Sequence, residues 1–145
     1  AYKVQNYCEN ETANLILSAF ADKAHKRDIS MEIKAQIPTM PAVSESDLCV
    51  LLSNALENAL HACMQVQAKG LPAAIDVMAY QQKDTFFIQI RNSCEENVEF
   101  VNEIPVTRRA GHGIGVRSIC AVVERYGGLY SFSAANGQFI LRVSL

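Results

Sequence analysis

Apolar and polar positions change their period several times along the chain, and each change marks an element. From Glu11 to Arg27, Leu15, Ile16, Ala19, Phe20 and Ala24 recur at helical spacing, which predicts an amphipathic helix. Ile29, Met31, Ile33, Ala35 and Ile37 then alternate with polar partners, the period of a half-buried strand. Pro38 and Pro41 break it. Ser44-Glu45-Ser46-Asp47 opens a second helix with Ser44 or Ser46 as N-cap. That helix runs to about Gln67, where Gly70 stops it, and its apolar stripe is Leu48, Leu52, Ala55, Ala59, Ala62 and Val66.

Two further strands, Ala73–Tyr80 and Thr85–Arg91, flank the polar run Gln81-Gln82-Lys83-Asp84. This pattern predicts a hairpin with a four-residue loop. Asn92 to Ala110 carries Glu95, Glu96, Glu99, Glu103, Pro105, Arg108 and Arg109 with little periodicity. An irregular segment of this length in a compact domain is expected to be functional or mobile, and its charges call for exposure. A third helix follows from about Ile114 to Tyr126, with Ile114, Ile119, Val122, Val123 and Tyr126 inward and Gly127-Gly128 as its stop. The chain closes with a hairpin, Leu129–Ser133 and Gln138–Val143, around Asn136-Gly137, a type I′ signal. This order predicts an α+β two-layer sandwich, with a mixed, mostly antiparallel sheet and helices on one face.

The length of 145 residues fits a single domain spanning 1–145, and 50% hydrophobic content supplies a core. The net charge of −2 argues against nucleic acid as a partner through bulk charge. No apolar run reaches the length of a membrane span, so no membrane contact is expected from this segment. The 5 cysteines include no CxxC pair, which argues against a zinc site or a disulfide framework and for a reducing cytoplasm. Cys49, Cys63 and Cys120 read as small core hydrophobes. The N-terminal stretch AYKVQNYCENET has no signal-peptide core and reads as an internal cut in a longer protein.

Two segments carry candidate chemistry. In Asn54-Ala55-Leu56-Glu57-Asn58-Ala59-Leu60-His61, two amides lie one helical turn apart on a flank of the apolar stripe, with His61 on the same side. Such a pair is either a solvated helix face or an oxygen ligand set for a hard cation such as Mg²⁺. His61 is equally a phosphate donor or an exposed histidine. The second segment, Gly111-His112-Gly113-Ile114-Gly115, leads into the third helix. Glycines at a helix start suit a phosphate, although many loop-to-helix junctions carry them. No GK[ST] follows, so this is not a Walker A loop. Arg108, Arg109, His112 and Arg117 gather positive charge at a helix N-terminus, which is unfavourable there unless an anion is bound.

Together these two segments resemble the N box and the glycine-rich second box of the GHKL ATPase superfamily, which includes gyrase, MutL and sensor histidine kinases. The order of the boxes, the irregular segment between them and the closing Gly-Gly hairpin extend the resemblance over almost the whole chain. It is greatest to the ATP-binding domain of sensor kinases that respond to peptide or small-molecule signals. The resemblance implies a Bergerat-type fold, ATP as the nucleotide and Mg²⁺ as its metal.

It further implies Asn58 as the Mg²⁺ ligand and Asn54 as the polar residue near the phosphates, where gyrase-like members carry a general-base glutamate. An amide cannot take a proton, which fits phosphoryl transfer better than hydrolysis. His61, Arg109, Gly111, His112, Gly113, Ile114 and Gly115 fall at nucleotide-binding positions. Asn92, at the end of Ile90-Arg91-Asn92-Ser93-Cys94, stands where the family has the adenine-binding aspartate, and the usual glycines are missing. It is either the acceptor for the adenine amine or a strand-end turn residue.

The function so implied is the catalytic domain of a two-component sensor histidine kinase. It would donate the γ-phosphate to a histidine on an upstream dimerisation domain, and a response regulator would be the indirect partner. The domain would be the cytoplasmic part of a membrane-anchored sensor. None of His25, His61 or His112 has the setting of a phospho-acceptor. The alternatives are a nucleotide-gated regulatory or interaction module, a degenerate kinase, and an anti-sigma-type serine kinase of the same fold.

Overall fold

A computed structural model of the chain describes residues 4–106 and 113–145. Five strands form one sheet in the order β1-β2-β3-β7-β6, and a two-stranded hairpin, β4–β5, stands apart. The first helix, α1 (Glu11–Lys26), is capped by Asn10, whose side chain accepts from the Ala13 N–H. Strand β1 (Ser30–Gln36) leads through the proline-broken loop to α2 (Glu45–Ala68). Ser44 is the N-cap of α2 and accepts from the Asp47 N–H.

β2 (Ala74–Gln82) returns parallel to β1, so β1-α2-β2 is a crossover unit inside an otherwise antiparallel sheet. β2 and β3 (Thr85–Ser93) pair from Ile75↔Asn92 to Gln82↔Thr85. The connection is therefore Lys83-Asp84 alone, tighter than the four-residue loop expected. Lys83 adopts the left-handed conformation, φ 57°, which lets Gln81 and Gln82 stay in the ladder.

α3 (Gly113–Arg125) ends in a Schellman turn. Gly127, at φ 65°, donates to Glu124 O, and the Gly128 N–H reaches back to Val123 O at 3.0 Å. β6 (Leu129–Ala135) and β7 (Gln138–Ser144) close the sheet. Asn136 and Gly137 both have positive φ, as the expected type I′ turn requires.

One sheet face is buried. Ile75, Val77 and Ala79 of β2, Phe86, Ile88 and Ile90 of β3, and Phe139, Leu141 and Val143 of β7 all lie in the core. Their strand neighbours Met78, Phe87 and Arg142 face away. α2 buries more than the expected stripe: Leu51, Leu56, Leu60 and Cys63 are also inside. It packs on the sheet and between α1 and α3, so its flanks are covered as well as its base. Cys49 is exposed and is not a core residue as read, because it lies outside the part of α2 that the sheet and the neighbouring helices bury. On α3 the buried set is Val116, Ile119, Cys120, Val122 and Val123.

Tyr126, expected inward, is instead exposed and reaches over the start of α2. Its hydroxyl donates to Asp47 Oδ2 at 2.7 Å and accepts from the Ser44 N–H at 3.0 Å.

The segment after β3 contains structure that its composition does not advertise. Phe100–Val101 (β4) and Ile104–Pro105 (β5) pair across a turn in which Asn102 and Glu103 both have positive φ. The Val106 N–H closes this hairpin on Glu99 O at 2.8 Å.

Candidate functional site

A cavity of about 470 Å³ opens between α2, the start of α3 and the β4–β5 hairpin. This is the size range of a small-molecule site. Asn58, His61, Ala62 and Gln65 of α2 form one wall, at the i, i+3, i+4 and i+7 positions of a single helix face. Val116 of α3 and Phe139 of β7 form an apolar floor. Cys94, Glu95, Asn97, Val98, Glu99, Pro105 and Val106 close the remaining side.

The candidate residues occupy distinct places around this cavity. Asn58 and His61 line it, both half-buried. The His61 Nε2 lies 3.0 Å from Glu57 Oε1 one turn earlier. Asn54 is not on the cavity wall: its Nδ2 donates to Val50 O at 2.8 Å, and its Oδ1 faces Gly115 of α3. Asn92 is 2% exposed on the helix-facing side of β3. Its Nδ2 donates to Ser93 O at 2.9 Å, and it pairs in the ladder with Phe139, which lines the cavity. Its position is therefore next to the floor residue Phe139. Gly113 opens α3. Arg108, Arg109, Gly111 and His112 lie outside the described residues, as does the Ile114 side chain.

Charge is unevenly spread. Glu95 and Glu99 put carboxylates on the β3–β4 side, and Glu95 is paired with Lys69 at 2.9 Å. Burial raises the Cys94 thiol, and it pushes the Cys63 thiol behind it up to about 11. Both thiols are therefore protonated near neutrality and act as small apolar groups.

Among the described residues no cluster of three His, Cys, Asp or Glu side chains could hold a metal ion. A dedicated protein cage is thus missing from this part of the molecule. Asn58, with its amide beside open space, can supply one oxygen. That donor set suits Mg²⁺ carried in by phosphates, since this ion keeps water and phosphate oxygens in its shell.

Sequence reasoning missed Gln65 and Phe139. Gln65 was legible, being two turns beyond Asn58 on the same face. Phe139 was not, because only strand order brings β7 beside β3. Among the described residues, no helix is long and apolar enough to cross a membrane.

A family model for the GHKL domain matches residues 43–145, the stretch that contains every described wall of the cavity. No curated protein sequence matches the chain. Among solved structures, the nucleotide-free catalytic domain of histidine kinase ThkA superposes with a TM-score of 0.72 at 15% identity. It covers 93% of this chain and 91% of that one. The mycobacterial sensor histidine kinase MprB gives 0.64 at 18% identity, covering 93% of both chains. The histidine kinase domain from an Erythrobacter litoralis blue-light activated kinase gives 0.67 at 12%, covering 92% of this chain and 60% of that one. At such identities these likenesses speak for the fold, and the family model speaks for the family: the chain belongs to the GHKL domain family.

Proposed function

We propose that this domain binds Mg-ATP in the cavity beside α2 and serves as the catalytic domain of a sensor histidine kinase. One observation carries the reading. Asn58 and His61 wall the same cavity as Val116 of α3, inside the segment that matches the GHKL family model. The triphosphate would lie on the α2–α3 side, away from Glu95 and Glu99, where like charge would oppose it. The purine would rest on Val116 and Phe139, with Asn92 at its edge.

When bound, Mg²⁺ would neutralise charge on the phosphates. This chain's part is to hold and orient: Asn58 would supply an oxygen ligand, and His61 with Gly111, His112, Gly113, Ile114 and Gly115 would bind the phosphates. Arg109 would add a cation. Catalysis by such a site is mainly positioning and charge neutralisation. The acceptor would be a histidine on a dimerisation domain upstream, and a response regulator would receive the phosphoryl group in turn. The parent would be a membrane-anchored sensor with this domain in the cytoplasm.

Calorimetric titration with ATP, with and without Mg²⁺, tests the reading. ATP should bind in both cases and more tightly with the metal. Asn58→Ala should remove the metal effect and leave the fold intact, since the side chain is half-buried and outside the apolar contacts of α2. An identical metal dependence in both proteins would refute the assignment.

A further inference from the structure

We infer that Asn54 is a positioning residue, which sets how closely the start of α3 approaches α2. The inference rests on the nucleotide-binding reading above. Asn54 does not line the described cavity; its side chain is turned toward α3 instead. Its amide nitrogen is committed to its own helix, at 2.8 Å from Val50 O. That bond fixes the side chain and turns Oδ1 toward α3. There it meets Gly115: a Cβ built on Gly115 would lie 3.2 Å from Asn54 Oδ1, and 3.8 Å from its Cβ and Cγ.

A contact of 3.2 Å is tighter than ordinary carbon–oxygen packing, so the two positions are complementary in size. Gly115 is the third residue of α3 and Val116, its neighbour, lines the cavity. Whatever separates Gly115 from Asn54 therefore also moves the first turn of α3, whose N–H groups would face the phosphates. Asn54 is in addition an amide dipole at the positive end of that helix. An oxygen there is favourable, yet it is uncharged and does not repel an incoming phosphate as a carboxylate would.

A suppressor test follows. Gly115→Ala favours helix and should not lower the melting temperature, but it should push α3 from α2. ATP affinity should fall about tenfold, as expected when binding groups shift by a fraction of an ångström, while AMP affinity changes little. Adding Asn54→Ala makes room for the new methyl and should return ATP affinity to within about threefold of wild type, a non-additive pair. Asn54→Asp should weaken ATP more than ADP and ADP more than AMP.

Wild-type ATP affinity in Gly115→Ala, or additive losses in the double variant, would overturn the inference. So would equal losses for ATP and AMP. Failure of the wild-type protein to bind any nucleotide would instead overturn the proposed function itself.

Discussion

Phe100 of the β4–β5 hairpin stacks on Phe139 of β7, with ring centroids 6.4 Å apart and planes within 9°. Phe139 lines the cavity and also meets Phe132 at 6.1 Å. One aromatic column thus ties the hairpin to the sheet beneath the candidate nucleotide site. Phe100→Ala removes a contact of about 1 kcal/mol beyond its area burial. The hairpin amides around Val101–Val106 should then exchange faster with deuterium. Those of β3 and β7 should be unchanged. Equal exchange in both proteins would mean the hairpin is held by other contacts.

Asn92 is expected to select adenine. Its nitrogen is bonded to Ser93 O, so its oxygen is the atom suited to accept from the purine amine. Asn92→Ala should weaken ATP severalfold and leave inorganic triphosphate nearly unchanged in competition titrations. A uniform loss across both ligands would make Asn92 a structural residue of the strand end.

Asp47 makes the α2–α3 junction sensitive to acid. Hydrogen bonds from Tyr126 and Ser44, and then the charge of Arg125, hold its carboxyl below the ordinary carboxylate value. The sign follows from linkage. A group whose folded pKa is depressed contributes stability above its unfolded value of about 3.9, and loses it as pH falls through the folded value. Asp47→Asn should therefore be less stable than wild type at pH 6. The two proteins should converge as pH drops below that range. Urea denaturation at several pH values checks this, and a gap that persists in acid would remove Asp47 as its cause.

The thiols should label in the order of their burial. Cys49 is exposed, whereas Cys63 is fully buried with its pKa pushed up to about 11. With iodoacetamide near neutrality, mass spectrometry should find Cys49 alkylated first and Cys63 only on unfolding, because the thiolate is the reactive species. Cys94, at 9% exposure on the cavity wall, should be slowed further by bound ATP. Early alkylation of Cys63 would show that the junction of α2 with β2 and β3 opens readily.

Core packing predicts its own cost. Phe86 is fully buried on β3, and Phe86→Ala should destabilise by about 3–5 kcal/mol, measured by denaturant midpoint at constant slope. A loss below about 1 kcal/mol would mean that the site collapses around the truncation.

Much of this architecture was legible in the chain itself, because local periodicity and capping chemistry act over a few residues. The three helices, the Ser44 cap, the alternation of β1, β2 and β3 and the Asn136-Gly137 turn all stand where spacing put them. Asn58 and His61 could be placed on one face for the same reason. What spacing could not decide was who meets whom. The parallel pairing of β1 with β2 and the seat of β7 beside β3 depend on contacts between residues far apart in the chain. So do the Phe100–Phe139 stack and the approach of Gly115 to Asn54. The wider burial of α2 and the exposure of Cys49 and Tyr126 belong to the same class, since a helix flank is core or surface only once its neighbours arrive. Asn54 and Asn58 look alike in sequence, one helical turn apart. Tertiary structure divides them, turning one toward Gly115 of α3 and leaving the other on the cavity, because only the packed helices decide what each flank position meets.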